Sequence, residues 1–349
     1  MNLYLDSGYA NMQKMIETDV PFVFVVGGRG TGKTYGALKY LLDKEKKFMF
    51  MRRRKEQTDM INRPELSPFK SINEDTFYNV HPKPIGKGMA GFFNVSFDSE
   101  TQEEIPQGEP LGYSCALSTI SNIRGFDGSD IEILVYDEFI GEKHERPIRN
   151  EGSAFLNAYE TINRNRELKG QKPLKAVCLS NSNDLANPLF MELKLVTIVE
   201  KMMAKGQNFI INKDRGFAVF YLTHSPISDK KSNTALYKLV DKGSSFYEMS
   251  IDNAFSNEEI GLIKSQNLKE YVPIVFVGEL CIYKHKSERK YYVTDHKSGT
   301  VRKVYDTGDM ELKRFRRDCG MLWFSYMNNN IFFESYIHQL LFEKYFGTI

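Results

Sequence analysis

Residues 27–34 read GGRGTGKT, a G-x-x-x-x-G-K-T run between an apolar pentapeptide, FVFVV (22–26), and a helix-prone octapeptide, YGALKYLL. Such a run does chemistry only as a turn from a strand into a helix N-terminus, and the flanks supply both. Gly27, Gly30 and Gly32 free the backbone to curl its N–H groups around a polyphosphate. Gly28, Arg29 and Thr31 complete the loop, and the helix dipole adds to the attraction. Lys33 is placed to reach the β- and γ-phosphates, and the Thr34 hydroxyl to ligate Mg²⁺. A chance glycine turn would not put strand, loop, Lys-Thr and helix in this register.

A second apolar run, IEILVY (131–136), ends in Asp137-Glu138. An aspartate at the tip of a core strand beside a phosphate loop holds Mg²⁺, usually through water. The glutamate next to it is placed to polarise a water for attack on the γ-phosphate. A small-molecule kinase has no use for that second carboxylate, because its nucleophile is the substrate. Alone, Asp-Glu after a strand reads as readily as a solvated helix start; beside the phosphate loop it reads as ATP hydrolysis with Mg²⁺. Lys33 and Asp137 are 104 positions apart, room for intervening strands and helices.

The elements that must hold these groups alternate from residue 20 to about 200. KFMFM (47–51) is a second strand, residues 82–110 with their Pro and Gly a hairpin insertion, SAFLNAYETINRNREL a helix and LKAVCL (174–179) a further buried strand. That alternation predicts a mostly parallel, doubly wound α/β sheet, with FAVFYL (217–222) as its last strand. The expected organisation is a motor domain over 1–224, a linker or lid over 225–256 and a smaller α/β domain over 257–349. A net charge of +2 confines any nucleic-acid surface to local patches. Cys115, Cys178, Cys281 and Cys319 form no C-x-x-C pair, which argues against zinc or a disulfide framework. MNLYLDSGYANMQ has no basic n-region or apolar h-region, so no signal peptide is expected, and no apolar stretch approaches the ~20 residues of a membrane span. The expectation is a cytosolic protein.

Taken together, GGRGTGKT, FMFMRRRK, VYDEFIGEK, INRNRE, CLSNS with NPLF, and YEMSIDNAF resemble the DNA-packaging ATPases, or encapsidation proteins, of small picovirus-type short-tailed phages. The likeness covers most of residues 20–255 and extends more remotely to phage large terminase subunits. It implies a P-loop ATPase of the additional-strand, catalytic-glutamate class, acting as a homo-oligomeric ring, expected as a pentamer. Its partners would be double-stranded viral DNA, the portal at a procapsid vertex and, as an adaptor, a structural RNA. Its place would be the host cytoplasm and, transiently, that vertex.

The resemblance also implies roles. Arg164 matches the family's arginine finger, inserted into a neighbouring subunit's site, where a permanently charged guanidinium contacts two developing phosphate charges. A solvated helix face is the plain alternative for Arg164 and Arg166. Arg124 stands where the family carries a second basic residue acting in trans, and Lys143 occupies a similar interface position. Arg29 would pair with phosphate or with Glu138, and Asn181 would sense the γ-phosphate. Arg52, Arg53, Arg54 and Lys55 match the family's DNA-gripping loop, whose phosphate contacts read no sequence.

For residues 257–349 the resemblance implies a ribonuclease-H-like nuclease fold. Such a nuclease needs several carboxylates converging on two metals, and here only Glu279 and Asp295 stand near the strand ends, among Lys284, Lys286, Arg289, Lys290, Lys297, Arg302 and Lys303. A vestigial nuclease, reused to bind DNA or the capsid vertex, is the expectation. Two rivals share the nucleotide site: a helicase-type motor, which should carry strand-separation motifs, and an ATP-binding switch protein, which would not be stimulated by DNA.

Overall fold

Phe22 to Val26 carry no alternating polar residue, the pattern of a strand buried on both faces. In the computed structural model they become β1 (Phe22–Gly27). The structure describes residues 1–347 except 87, 102, 124, 125, 143, 144, 146, 147, 182–184, 186, 224, 243, 245, 246 and 248–261. These fall into two compact units, Met1–Leu193 with Lys201–Ser256, and Lys194–Glu200 with Asn257–Ile349.

The first unit is built on β1 and eight further strands, β2 (Phe48–Arg52), β3 (Val80–Gly86), β4 (Met89–Phe97), β5 (Glu104–Ala116), β6 (Ile133–Asp137), β7 (Lys175–Ser180), β8 (Phe209–Asn212) and β9 (Phe217–Leu222), in the order β3-β4-β5-β2-β6-β7-β1-β9-β8. From β5 through β9 every neighbouring pair is parallel. Asp137 aligns with Leu179 and Val26 with Ser180, so the glycine loop, the acid pair and Asn181 all leave the sheet at one edge. Ligands of open parallel sheets sit at that carboxyl edge. The apolar side chains of β1, β2, β6, β7 and β9 are buried beneath helices, as the absence of alternation requires.

The expected hairpin insertion is an antiparallel extension, β3-β4-β5, whose third strand turns parallel to β2 in its last residues. Gly112 lies where the two arrangements meet, aligned with Phe48 on one side and Phe92 on the other. The two rings stack across it with centroids 5.9 Å apart. A Cβ on Gly112 would stand 2.6 Å from carbons of the Phe48 ring. The outer strand, β3, carries Pro82 and Pro84, and Asn73 bonds both the N–H and the carbonyl of Val80.

In the stretch expected as a linker, helices Pro226–Lys231 and Ala235–Leu239 belong to the first unit. Ser225 caps the first of them and its hydroxyl donates to the Gly8 carbonyl at 2.9 Å. Among the described residues the second unit has five strands where two or three were expected: β10 (Tyr271–Val277), β11 (Leu280–His285), β12 (Tyr291–Thr294), β13 (Lys303–Tyr305) and β14 (Ile331–Phe333). Their order is β13-β10-β11-β12-β14, with an antiparallel centre and a parallel strand at each edge. Helices Asp309–Asp318, Gly320–Met327 and Tyr336–Phe346 bury Phe315, Leu322, Tyr326 and Phe342 against it. All four cysteines are buried free thiols, and among the described residues no helix is long and apolar enough to cross a membrane.

The Gly112 site makes a stability prediction. Gly112→Ala forces Phe48 out of its stack and should cost about 1–3 kcal/mol. Urea unfolding should show a lower midpoint at unchanged slope; an unshifted midpoint would mean that the aromatic pair yields freely.

Candidate active site

Gly30 and Gly32 adopt φ of 71° and 80°, left-handed values that glycine reaches without Cβ strain. They turn β1 into helix Lys33–Asp43, with Gly32 as its N-cap. The Lys33 ammonium is buried against the loop, donating to the carbonyls of Gly27 at 3.0 Å and Gly28 at 2.7 Å and to Asn181 Oδ1 at 3.4 Å. Burial, reinforced by the nearby Lys231 charge, lowers its pKa to about 7 even though Asp137 and Glu138 raise it. The Thr34 hydroxyl donates to Asp137 Oδ1 at 3.0 Å, so two hard oxygen ligands meet at one point. A cavity of about 400 Å³ is bounded by residues 29–35, Asp137, Glu138, Glu142, Ser180 and Asn181.

Glu138 leaves β6 with φ 56°, a left-handed conformation that costs a non-glycine residue free energy. The strain turns its carboxylate toward the cavity. Its pKa is raised chiefly by burial, against the opposing pull of Arg52.

Arg52 bridges the acid pair, at 2.7 Å from Asp137 Oδ2 and 2.5 Å from Glu138 Oε2. Arg53 is buried deeper: Nε and Nη2 grip both oxygens of Glu151, Nη1 takes Glu145, and the Tyr136 hydroxyl completes the cluster. These contacts correct the expectation that residues 52–55 all face duplex DNA. The strand end they occupy is ringed by carboxylates, and two of the four guanidinium or ammonium groups are consumed there. Arg54 is half-buried, and only Lys55 is exposed, paired with Asp59 at 2.6 Å. Arg29, expected on phosphate or Glu138, pairs with Glu142 instead.

Arg164 follows helix Glu151–Asn163 and, with Asn165, adopts left-handed φ values of 46° and 58°. Its guanidinium donates to Asp127 Oδ1 at 3.3 Å and to the Phe126 carbonyl. Asn163 accepts from the N–H of Leu174, just before β7 begins, whereas Asn181 follows its end. A six-residue strand, about 20 Å at 3.3 Å per residue, therefore separates Arg164 from its own chain's phosphate loop. Arg166 is no solvated partner: it is buried and donates to the Gly128 carbonyl at 2.8 Å. Arg124 and Lys143 lie outside the described residues.

Two features escaped the sequence reading. The N-terminal segment closes over the loop, with the N–H of Ala10 donating to the Thr31 carbonyl at 2.9 Å. Between them lies a cavity of about 760 Å³ lined by Leu5, Tyr9, Met12, Tyr35 and Tyr40, sharing Gly30, Gly32 and Tyr35 with the smaller one. Lys231, from helix Pro226–Lys231, also donates to the Arg29 carbonyl. Neither has a motif, and Tyr4 and Tyr9, scattered upstream of the glycine loop, form no pattern that points to it.

The model of the podovirus DNA encapsidation protein (Gp16) family matches residues 85–329. The "DNA packaging protein" of Bacillus phage PZA is 27% identical over 330 residues, covering 92% of this chain and 88% of that protein. Its counterpart from Bacillus phage phi29 matches with the same identity and coverage. A solved chain of "the bacteriophage Phi-29 viral genome packaging motor assembly" shares the fold with a TM-score of 0.63 at 20% identity, over 99% of each chain.

The lowered Lys33 pKa has a measurable consequence. Phosphate oxygens would hold the ammonium charged, so polyphosphate binding above pH 7 should take up a proton. Uptake should approach one per site near pH 8.5 and vanish near pH 6, with affinity falling up to about tenfold per pH unit above 7. Calorimetry in buffers of different ionisation enthalpy reads it directly. Lys33→Arg, which keeps its charge, should abolish the uptake; equal uptake in both proteins would refute the assignment.

Proposed function

Because the chain belongs to the podovirus DNA encapsidation protein (Gp16) family, we propose that it is the ATP-hydrolysing subunit of a motor that drives viral double-stranded DNA into a preformed procapsid. The observation that carries this reading is the meeting of Lys33, Thr34, Asp137 and Glu138 at one edge of a parallel sheet. The place of β7 between β1 and β6 supports the additional-strand, catalytic-glutamate class.

Thr34 and Asp137 offer oxygen donors of the kind Mg²⁺ takes, and the ion would neutralise phosphate charge. Lys33, already desolvated, exchanges loop carbonyls for phosphate oxygens, while Asn181, which with Thr31 is among its other partners, would sense the γ-phosphate. Glu138 accepts the proton of the attacking water, and its raised pKa suits that task. Arg52 positions this carboxylate beside Asp137 rather than touching DNA. The nucleoside enters the larger cavity, where Tyr9 and Tyr35 offer stacking faces.

Arg164 faces away from its own phosphate loop, which favours a role in trans across the interfaces of a homo-oligomeric ring. Arg54 and Lys55 remain for the DNA backbone. A pentamer seated on a portal, with a structural RNA as adaptor, is the assembly this reading implies.

Two outcomes test it. Lys33→Ala should abolish ATP binding, whereas Glu138→Gln should keep ATP bound and slow hydrolysis by about 10²–10⁴. Wild-type turnover by Glu138→Gln in the presence of duplex DNA would sink the hydrolytic assignment, and failure of DNA to stimulate the wild type would favour a switch protein.

Mixing resolves the finger. Pure Arg164→Ala rings should lose about 10³–10⁵ in rate. Rings mixed with Glu138→Gln subunits contain some interfaces with both groups intact and should recover activity that neither parent shows. A mixture as inactive as its parents assigns Arg164 a role in cis or in folding.

A further inference from the structure

β12 and β14 run parallel in register, Val293 aligned with Phe333, so the residues that follow them emerge side by side. They are Asp295 and Glu334, and the chain then enters helix Tyr336–Phe346, whose first turn carries His338. Ligating atoms of all three side chains lie within 4.8 Å of one another. The sequence reading had only Asp295 of this group, because Glu334 and His338 stand 39 and 43 positions away.

The geometry is that of a prepared ligand set. His338 is 6% exposed. Its Nδ1 is 2.9 Å from the Ser335 hydroxyl, and among the described residues its Nε2 makes no hydrogen bond but faces Asp295 Oδ1 at 3.9 Å. A hydrogen bond at one ring nitrogen that aims the other is how metal-ligating histidines are held. The Thr294 hydroxyl orients Glu334 in the same way. Among the described residues no lysine or arginine forms an ion pair with Asp295 or Glu334, so the two carboxylates await a cation.

We propose that Asp295, Glu334 and His338 Nε2 bind one divalent cation of the zinc–manganese class. The imidazole selects against Ca²⁺ and Mg²⁺, which take all-oxygen shells. Zinc–ligand bonds of about 2.0–2.2 Å require the three atoms to close by a few tenths of an ångström to about 1 Å, within reach of two exposed carboxylates. The ion ties together the ends of β12 and β14 and the start of the last helix. One cation with three protein ligands differs from the paired-metal arrangement of a two-metal nuclease. This inference is independent of the motor reading.

Zn²⁺ competition against a chromogenic chelator, on the full metal-stripped chain without nucleotide, tests it. Wild type and Asp137→Asn should each take up one Zn²⁺, and the ion should raise the thermal midpoint. Glu334→Gln, exposed and isosteric, and His338→Gln should each weaken uptake about tenfold or more, with Glu334→Gln keeping the metal-free midpoint of the wild type. Absence of uptake at micromolar Zn²⁺, equal uptake by Glu334→Gln, or loss that follows Asp137→Asn would overturn the site.

Discussion

Everything at the candidate active site depends on β6, β7 and β1 ending together. Parallel strands leave their last carbonyls and the polar residues beyond them at one edge, and here that edge carries Asp137, Glu138, Asn181 and the glycine loop. So many like charges cannot be partly buried without countercharge. Arg52 neutralises the acid pair, and Arg53 ties Glu145 and Glu151 behind it. Removing Arg53 would leave the buried Glu151 carboxylate uncompensated, a loss of about 3–5 kcal/mol in comparable pairs. The same cluster pins the start of helix Glu151–Asn163, and through that helix it sets where Arg164 stands.

The chemistry was legible where one short segment contains both the ligand and the geometry that presents it. GGRGTGKT needs only its own glycines and the following helix, and IEILVY followed by Asp-Glu reads as a strand tip because strands buried on both faces appear as unbroken apolar runs. Sheet order was not legible, since nothing in LKAVCL says that it inserts between β1 and β6. The RRRK run misled for a related reason. Consecutive basic residues read as an exposed patch, but Glu145 and Glu151, which draw Arg53 inward, stand 92 and 98 positions later. The Asp295–Glu334–His338 group is spread over 44 residues and converges only through the parallel pairing of β12 with β14.

Three of the non-glycine residues with left-handed φ stand where chemistry is expected, while Glu45, Asn150, Lys194 and Asn329 share that conformation elsewhere. Glu138, Arg164 and Asn165 hold left-handed φ values that only the surrounding packing enforces. At Glu138 the turn ends β6 and parts the carboxylate of Glu138 from that of its neighbour Asp137. At Arg164 it ends a helix abruptly and swings the guanidinium toward Asp127.

The outer strand of the larger sheet also bears on how copies of the chain can meet. β3 exposes one row of backbone groups, and an open row invites a strand from another molecule. Pro82 and Pro84, two apart, share the parity of Val80, whose N–H and carbonyl are both taken by Asn73 rather than by β4. On that side the strand has no N–H left to offer across three successive positions. Copies brought close together at high local concentration therefore cannot fuse their sheets along the β3 border, and an association over this face must use side-chain surfaces, which can part and rejoin without unravelling either fold.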